Sequence, residues 1–288
     1  MNKKIAYGFI MVAAVLWGSI GLFTTKLASE GFTSLEMCFI RSFVSVLMIG
    51  GFFGIKDRSI FKLEKITDLK YFIGTGIISF SFFNWSYVRA IEETSLGVAA
   101  ILLYTAPSII MILSIFLFQE KITKKKVIIL AITFVGCVLV TGIGGGSNQI
   151  SMKGLGLGLC AGIGYALYSI FGKFALRKYQ TITLVFYTFL TSTVLFLVIT
   201  NPIQIVGKLQ NNNMWIFSIL FAILSAAIPY IVYTKGLSVI EASRASLIAT
   251  LEPVVAAIFG IIVFGEASNP MKIIGMILVV GAVGAMSI

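Results

Sequence analysis

Apolar residues run in long stretches along this chain, and short polar segments separate them. The stretches lack strict apolar–polar alternation, which argues against strands. Each is about 18 to 23 residues long, enough for a helix to cross a bilayer. They fall near residues 5–25, 34–55, 71–88, 95–118, 126–143, 153–175, 181–200, 214–235, 244–264 and 270–287. At membrane depth the backbone must satisfy its own polar groups, so the pattern predicts an all-α integral membrane protein with ten transmembrane helices.

The loops organise these spans. The longest, residues 56–70, is charged, and Gly144-Gly145-Gly146-Ser147-Asn148 forms a flexible linker at the midpoint. The expected organisation is a first repeat over 1–143, a linker over 144–152 and a second repeat over 153–288. A direct repeat supports it. Residues 87–128 and 233–274 align without a gap at an offset of 146, with nine identities that include Tyr87/Tyr233, Ala99/Ala245, Pro107/Pro253, Phe118/Phe264 and Glu120/Glu266. Arg89 stands opposite Lys235, and Ala106 is replaced by Glu252.

Charge then sets direction. With the N-terminus inside, 16 Lys and Arg fall in inner segments and 5 in outer ones, leaving Arg41 within a span. This bias predicts that both termini are cytoplasmic. Five spans per half make the halves enter the membrane in opposite directions, an inverted repeat of the kind transporters build around a midplane site.

Composition narrows the function classes. The chain is 58% hydrophobic and 11% charged, with mean hydropathy +1.03, which excludes a soluble domain. The net charge of +11 is a topology signal in short loops and not a nucleic-acid surface. The absence of histidine removes His-based triads, zinc sites and His proton shuttles. Cys38, Cys137 and Cys160 fall in apolar runs without metal or redox spacing, so no cofactor, metal or catalytic group is expected. Met1-Asn2-Lys3-Lys4 before an apolar run mimics a secretory signal. The run is too long and lacks a clear cleavage site, so it reads as a retained first span.

Glu252 is the deep acid, and a charge there costs roughly 2.5–3.5 kcal/mol on insertion scales. Pro253 disfavours a helical Glu252, and a local break would aim a carboxyl and carbonyls at a cavity. Pro107 would break the fourth span in the same way without the acid. Two readings of Glu252 stand side by side: it binds a proton or a cationic group of the substrate, or it hydrogen-bonds a neighbouring helix as a structural acid. Arg41 has three readings: pairing with Glu252, holding a substrate carboxylate, or snorkelling outward. It is grouped with Pro107 and Pro253 as a structural or gating residue. Deep aromatic and amide side chains supply candidate substrate contacts at Trp17, Asn84, Tyr104, Tyr168 and Tyr230, because a buried tyrosine hydroxyl needs a partner. Tyr165 and Tyr168 share a helix face, as do Tyr230 and Tyr233, and Tyr87 and Tyr233 read as interface or loop residues. So aromatic a lining suits amphiphilic or aromatic-bearing metabolites. Gly154, Gly158 and Gly162 form a small-residue ridge for close helix packing. The G-x-G-x-x-A match inside it follows no strand and carries no dinucleotide reading.

The paired segments resemble the EamA repeat of the drug/metabolite transporter superfamily. The matching residues are Trp17-Gly18-Ser19, Lys26, Tyr87, Ala90, Pro107, Phe118 and Glu120, then Tyr233, Gly236, Leu251-Glu252-Pro253 and Phe264-Gly265-Glu266. In the sixth span Tyr165-Ala166-Leu167-Tyr168 stands where Trp-Gly stands in the first, a departure that leaves specificity unread. The resemblance implies ten spans, inner termini and movement of small metabolites, often export of amino acids or related compounds. The expectation is a secondary transporter of the cell membrane, with a small-molecule substrate, the lipid bilayer and a coupled proton as partners. A channel, a scaffold subunit and a membrane-embedded enzyme are the competing classes. No charge ring, filter loop or clustered ligand set supports them.

Overall fold

The computed structural model describes residues 1–141, 151–210 and 214–287; the linker at Gly144–Asn148 lies outside the described residues. The chain is all helical, with no strand among the described residues. The long helices are α1 (Lys3–Ser29), α2 (Ser34–Lys56), α3 (residues 69–93), α4 (Leu96–Phe118), α5 (Lys124–Thr141), α6 (Met152–Ala175), α7 (Thr181–Ile199), α8 (Met214–Leu237), α9 (Ala242–Phe264) and α10 (Pro270–Ser287). A short helix, Pro202–Gln210, follows α7.

Seven of these, α1, α2, α4 and α6 to α9, are long and apolar enough to cross a membrane. The other three fall short for local reasons. Thr75, Ser79, Ser81, Asn84 and Ser86 dilute α3, three lysines open α5, and α10 is shorter in apolar length. Residues 56–70, read as a plain polar loop, contain two tight 3₁₀ turns, Arg58–Phe61 and Ile66–Asp68.

Helix starts follow their capping residues. Asn2, Ser95 and Ser151 cap α1, α4 and α6 with their own side chains. Thr33 and Glu36 form a capping box at α2, a pair of bonds worth about 1 kcal/mol. α9 differs: its N-cap residue Glu241 makes no side-chain cap bond.

Several helices are interrupted. α1 breaks at Ser19, whose hydroxyl donates to Leu16 O at 2.7 Å. α4 breaks at Tyr104–Thr105 and α9 at Thr250–Leu251, one turn or less before Pro107 and Pro253. A proline cannot donate to the carbonyl four residues back, and the threonines tighten the turn instead. Thr105 donates to Leu102 O at 2.6 Å and Thr250 to Leu247 O at 2.5 Å. The expected breaks are therefore present, but Glu252 is helical, standing first in the outgoing segment Glu252–Phe264. An acid is well placed at a helix N-terminus, and this offsets the bias of a pre-proline residue. α3 and α8 each contain wide π-type turns, at Gly74–Ser81 and Ile223–Ala227.

The offset of 146 seen in sequence recurs in element boundaries. Leu96–Leu103 matches Ala242–Ala249, Ala106–Phe118 matches Glu252–Phe264, and Lys124–Thr141 matches Pro270–Ser287. Packing obeys the same pairing. α3 lies against α6 as α8 lies against α1, and α4 lies against α6 as α9 lies against α1. The pairs α2–α7, α4–α9 and α5–α10 join equivalents directly. The Gly154–Gly158–Gly162 ridge faces residues 93–105, where a methyl on Gly162 would stand 2.9 Å from Leu102 O.

Candidate functional site

Four helices build an aromatic chamber at the centre of the bundle. α1 gives Trp17, α3 gives Ser79 and Phe83, α6 gives Tyr165, Tyr168 and Ser169, and α8 gives Tyr230 and Tyr233. The cavity is about 10 Å³, room for one water-sized sphere. Trp17 stands at its hub, with ring centroids 5.3 Å from Tyr230, 5.2 Å from Tyr233 and 6.5 Å from Tyr165. Tyr168 meets Tyr230 edge-on at 4.9 Å. Such edge-to-face pairs add about 0.5–1.5 kcal/mol each beyond buried area.

The tyrosine hydroxyls find the partners that burial demands. Tyr168 OH and Thr234 Oγ1 lie 2.6 Å apart, and Tyr233 OH and Ser169 Oγ lie 2.7 Å apart. Tyr165 OH donates to Glu252 Oε2 at 3.4 Å. Glu252 is thus tied to the chamber wall. The first helix approaches it closely, because a methyl on Gly18 would stand 2.8 Å from Glu252 O and 2.6 Å from Val255 Cβ. The Trp-Gly-Ser sequence therefore gives, in order, the chamber's central ring, the space for α9 and the break in α1.

Of the expected contacts, Trp17, Tyr168 and Tyr230 line the chamber. Tyr104 sits at the break in α4, within electrostatic reach of Glu252. Asn84 points elsewhere, donating to Phe80 O at 2.7 Å and closing its own helical turn. Pro107 and Pro253 are both buried in the first turn of their outgoing segments. Arg41 is buried and donates to Ser225 O at 2.8 Å, with no ion pair to Glu252 among the described residues. Sequence reasoning missed Ser79, Phe83 and Ser169 as wall residues, and it assigned Tyr233 to an interface although that ring is buried. The spacing of Tyr230 and Tyr233 on one face was the available signal.

The two ends of the bundle are closed differently. At one end Glu120 accepts from Ala242 N at 2.7 Å, Ser243 N at 3.3 Å and the Ser243 hydroxyl, capping α9 from 122 residues away. Lys126 lies 4.0 Å from Glu120 and 2.8 Å from Glu241, which also binds Arg244 at 2.8 Å. Arg244 reaches Tyr7 OH at 3.2 Å, and Lys173 donates to Leu237 O and Ile240 O at 2.8 and 2.5 Å. Burial pushes the Glu241 carboxyl up, but Lys126 and Arg244 outweigh it and hold the group below its ordinary value. Asp68, on the same side, is held low by Lys178, 3.0 Å away. At the other end Glu266 pairs with Lys272 at 2.8 Å. The N-terminus of α4 is left to Ser95. There Glu93 meets Lys153 at 2.6 Å, joining α3 to α6.

The pattern of the EamA-like transporter family matches residues 4–142 and again 152–288. The chain belongs to the EamA-like transporter family. EamA-like relatives include an uncharacterized transporter of Archaeoglobus fulgidus, 25% identical over 280 residues, covering 95% of this chain and 93% of that one. The uncharacterized transporter YxxF of Bacillus subtilis is 27% identical, covering 96% and 88%. The threonine/homoserine exporter RhtA of Escherichia coli K12 is 24% identical over 212 residues, covering 71% and 67%. A solved crystal structure shares the fold, with TM-score 0.80 and 16% identity over 99% of this chain and 98% of that chain. This EamA-like chain is a multi-pass membrane protein whose family and relatives are transporters and not enzymes.

Proposed function

We propose that the chain is a secondary active transporter that exports amino acids or related small metabolites by alternating access around the Trp17–Tyr230 chamber. Ten spans, in repeats 1–143 and 153–288 of opposite topology joined by 144–152, form the carrier frame. Both termini are cytoplasmic, and the membrane is the cell's plasma membrane. The observation that carries this reading is the pairing of equivalent elements at an offset of 146 while Glu120 caps a helix of the other repeat and its equivalent Glu266 pairs with Lys272 of its own repeat. A symmetric frame with unequal ends is what a carrier caught in one of two states looks like. The ion pairs agree with the orientation, since each joins segments that the charge count assigns to one side. The name of the threonine/homoserine exporter relative supports amino acids as the substrate class.

Trp17, Tyr104, Tyr168 and Tyr230 supply the apolar and hydroxyl contacts of the site, Asn84 shapes it through α3, and Glu252 carries a proton or the substrate's cationic group. Pro107 and Pro253 place the hinges that let the half-helices move, and Arg41 holds α2 to α8. The aromatic wall favours amphiphilic or aromatic-bearing metabolites.

Counterflow in proteoliposomes tests the reading. Threonine and phenylalanine on the inside are expected to accelerate entry of the labelled solute, and an imposed pH gradient is expected to change the rate. Glu252→Gln should abolish the pH response, and Trp17→Ala should raise KM by about tenfold. Flux that is neither saturable nor stimulated by counter-substrate would point to a channel. Full, equally pH-dependent flux in Glu252→Gln removes the proton role.

A further inference from the structure

Arg41 is a buried cation for which the transport cycle above has no chemical use. Only 7% of the residue is exposed, so it does not snorkel to an interface. No carboxylate lies within 4.0 Å of it among the described residues, so it is not the ion-pair partner of Glu252. Its guanidinium rests over two rings, 5.3 Å from the centroid of Phe80 and 5.7 Å from that of Phe221. One donor reaches Ser225 O at 2.8 Å. The thiol of Cys38 lies beside it and is only a weak acceptor.

Donors remain unused. Arg41 Nε, Ser45 Oγ and Ser225 Oγ are all buried without a hydrogen-bond partner among the described residues. Ser45 is one turn from Arg41 on the same face of α2, and Ser225 supplies the carbonyl that Arg41 already holds. An arginine stays charged at any accessible pH, and buried donors left unpaired are costly. A guanidinium with two hydroxyls beside it is a donor set for an anion.

The chamber is one ring away. Phe80, which carries Arg41 on its face, meets Tyr230 edge-on at 5.7 Å and follows Ser79 of the chamber wall in sequence. Tyr230 stands within electrostatic reach of both Arg41 and Glu252. Phe80 and Ser225 belong to the two wide turns, Gly74–Ser81 and Ile223–Ala227, where the helix backbone is least regular.

We infer that Arg41, Ser45 and Ser225 form an anion-binding site that takes the carboxylate of the transported solute once the Phe80 ring moves aside. The inference rests on the carrier reading and narrows it. The solute is a zwitterion, its carboxylate at Arg41 and its ammonium at Glu252, with the apolar portion against Trp17 and Tyr230.

Three compounds on one scaffold test this with the purified full chain in lipid nanodiscs: phenylalanine, 3-phenylpropanoate and phenethylamine, with chloride as competitor. Wild type is expected to bind all three, phenylalanine most tightly. Arg41→Gln should weaken phenylalanine and 3-phenylpropanoate by about tenfold or more and leave phenethylamine within about twofold. Chloride displacing 3-phenylpropanoate but not phenethylamine supports the anion site and shows that inorganic anions also fill it. If Arg41→Gln does not fold, the Ser45→Ala/Ser225→Ala double variant, with Arg41 in place, should lose 3-phenylpropanoate affinity by about threefold or more. Unchanged 3-phenylpropanoate binding in a folded variant, or binding of neither 3-phenylpropanoate nor chloride by wild type, overturns the inference. Saturable phenethylamine counterflow alongside either result leaves the carrier reading standing, whereas no saturable flux of any of the three overturns both.

Discussion

The Glu120 end and the Glu266 end are built from the same local sequence and do opposite things. In both, a helix stops on a left-handed residue, Gln119 at φ 54° and Gly265 at φ 66°, and the next acid donates its amide back to Ser114 O or Gly260 O. The carboxylates then part company. Glu120 is 7% exposed and caps a helix of the other repeat, with Lys126, 3% exposed, behind it. Glu266 is 55% exposed and, among the described residues, meets only its own neighbourhood at Gly260 and Lys272. Local sequence fixes where the acid stands, and the packing of the opposite repeat decides whether it is a latch or a surface charge.

The largest expected effect follows from that burial. Glu120→Ala leaves the Ala242 and Ser243 amides without their acceptor and Lys126 without one of its counter-charges, and should lower unfolding stability by about 2–3 kcal/mol. Glu266→Ala should change it by less than about 1 kcal/mol, because an exposed ion pair contributes little. Equal shifts in thermal unfolding would erase the distinction between the ends.

The left-handed residues sharpen the comparison next. Gly265→Ala places a Cβ at positive φ and should cost about 1 kcal/mol. Gln119→Gly relieves the same strain and should gain about 0.5–1 kcal/mol, read as a higher midpoint of unfolding.

Acid provides the smallest probe. The folded-state value of Glu241 is lowered by Lys126 and Arg244, so its contribution is present at neutral pH and is lost as pH falls through that lowered value. The carboxylate is partly exposed, and the effect should stay under about 1 kcal/mol. Glu241→Gln should flatten the loss of stability between about pH 6 and pH 3. The residue 146 positions earlier is Ser95, which has no carboxyl to titrate.

Much of the frame is legible in the chain. Continuous apolar runs mark the long helices, and the repeat predicts which of them share boundaries. The prolines announce the breaks in α4 and α9, though the turns fall at Tyr104–Thr105 and Thr250–Leu251, where threonine hydroxyls can reach back to carbonyls. What sequence does not carry is orientation around each axis. Asn84 looks like a deep polar contact until its amide is seen bonded to Phe80 O, and Tyr233 looks interfacial until Ser169 meets its hydroxyl. The latch at Glu120 depends on residues 122 positions away, beyond any local signal.

The wide turns at Gly74–Ser81 and Ile223–Ala227 carry a consequence for helical phase. Each residue advances an α-helix by roughly 100°, and a π-type turn takes up residues without that full advance. The azimuths of Phe83 beyond the first turn, and of Tyr230 and Tyr233 beyond the second, are therefore set by residue count in those two stretches. Lengthening or shortening either stretch by one residue would rotate those rings off the chamber while leaving every side chain unchanged. The wall is composed as much by arithmetic along the helix as by the chemistry of its aromatics.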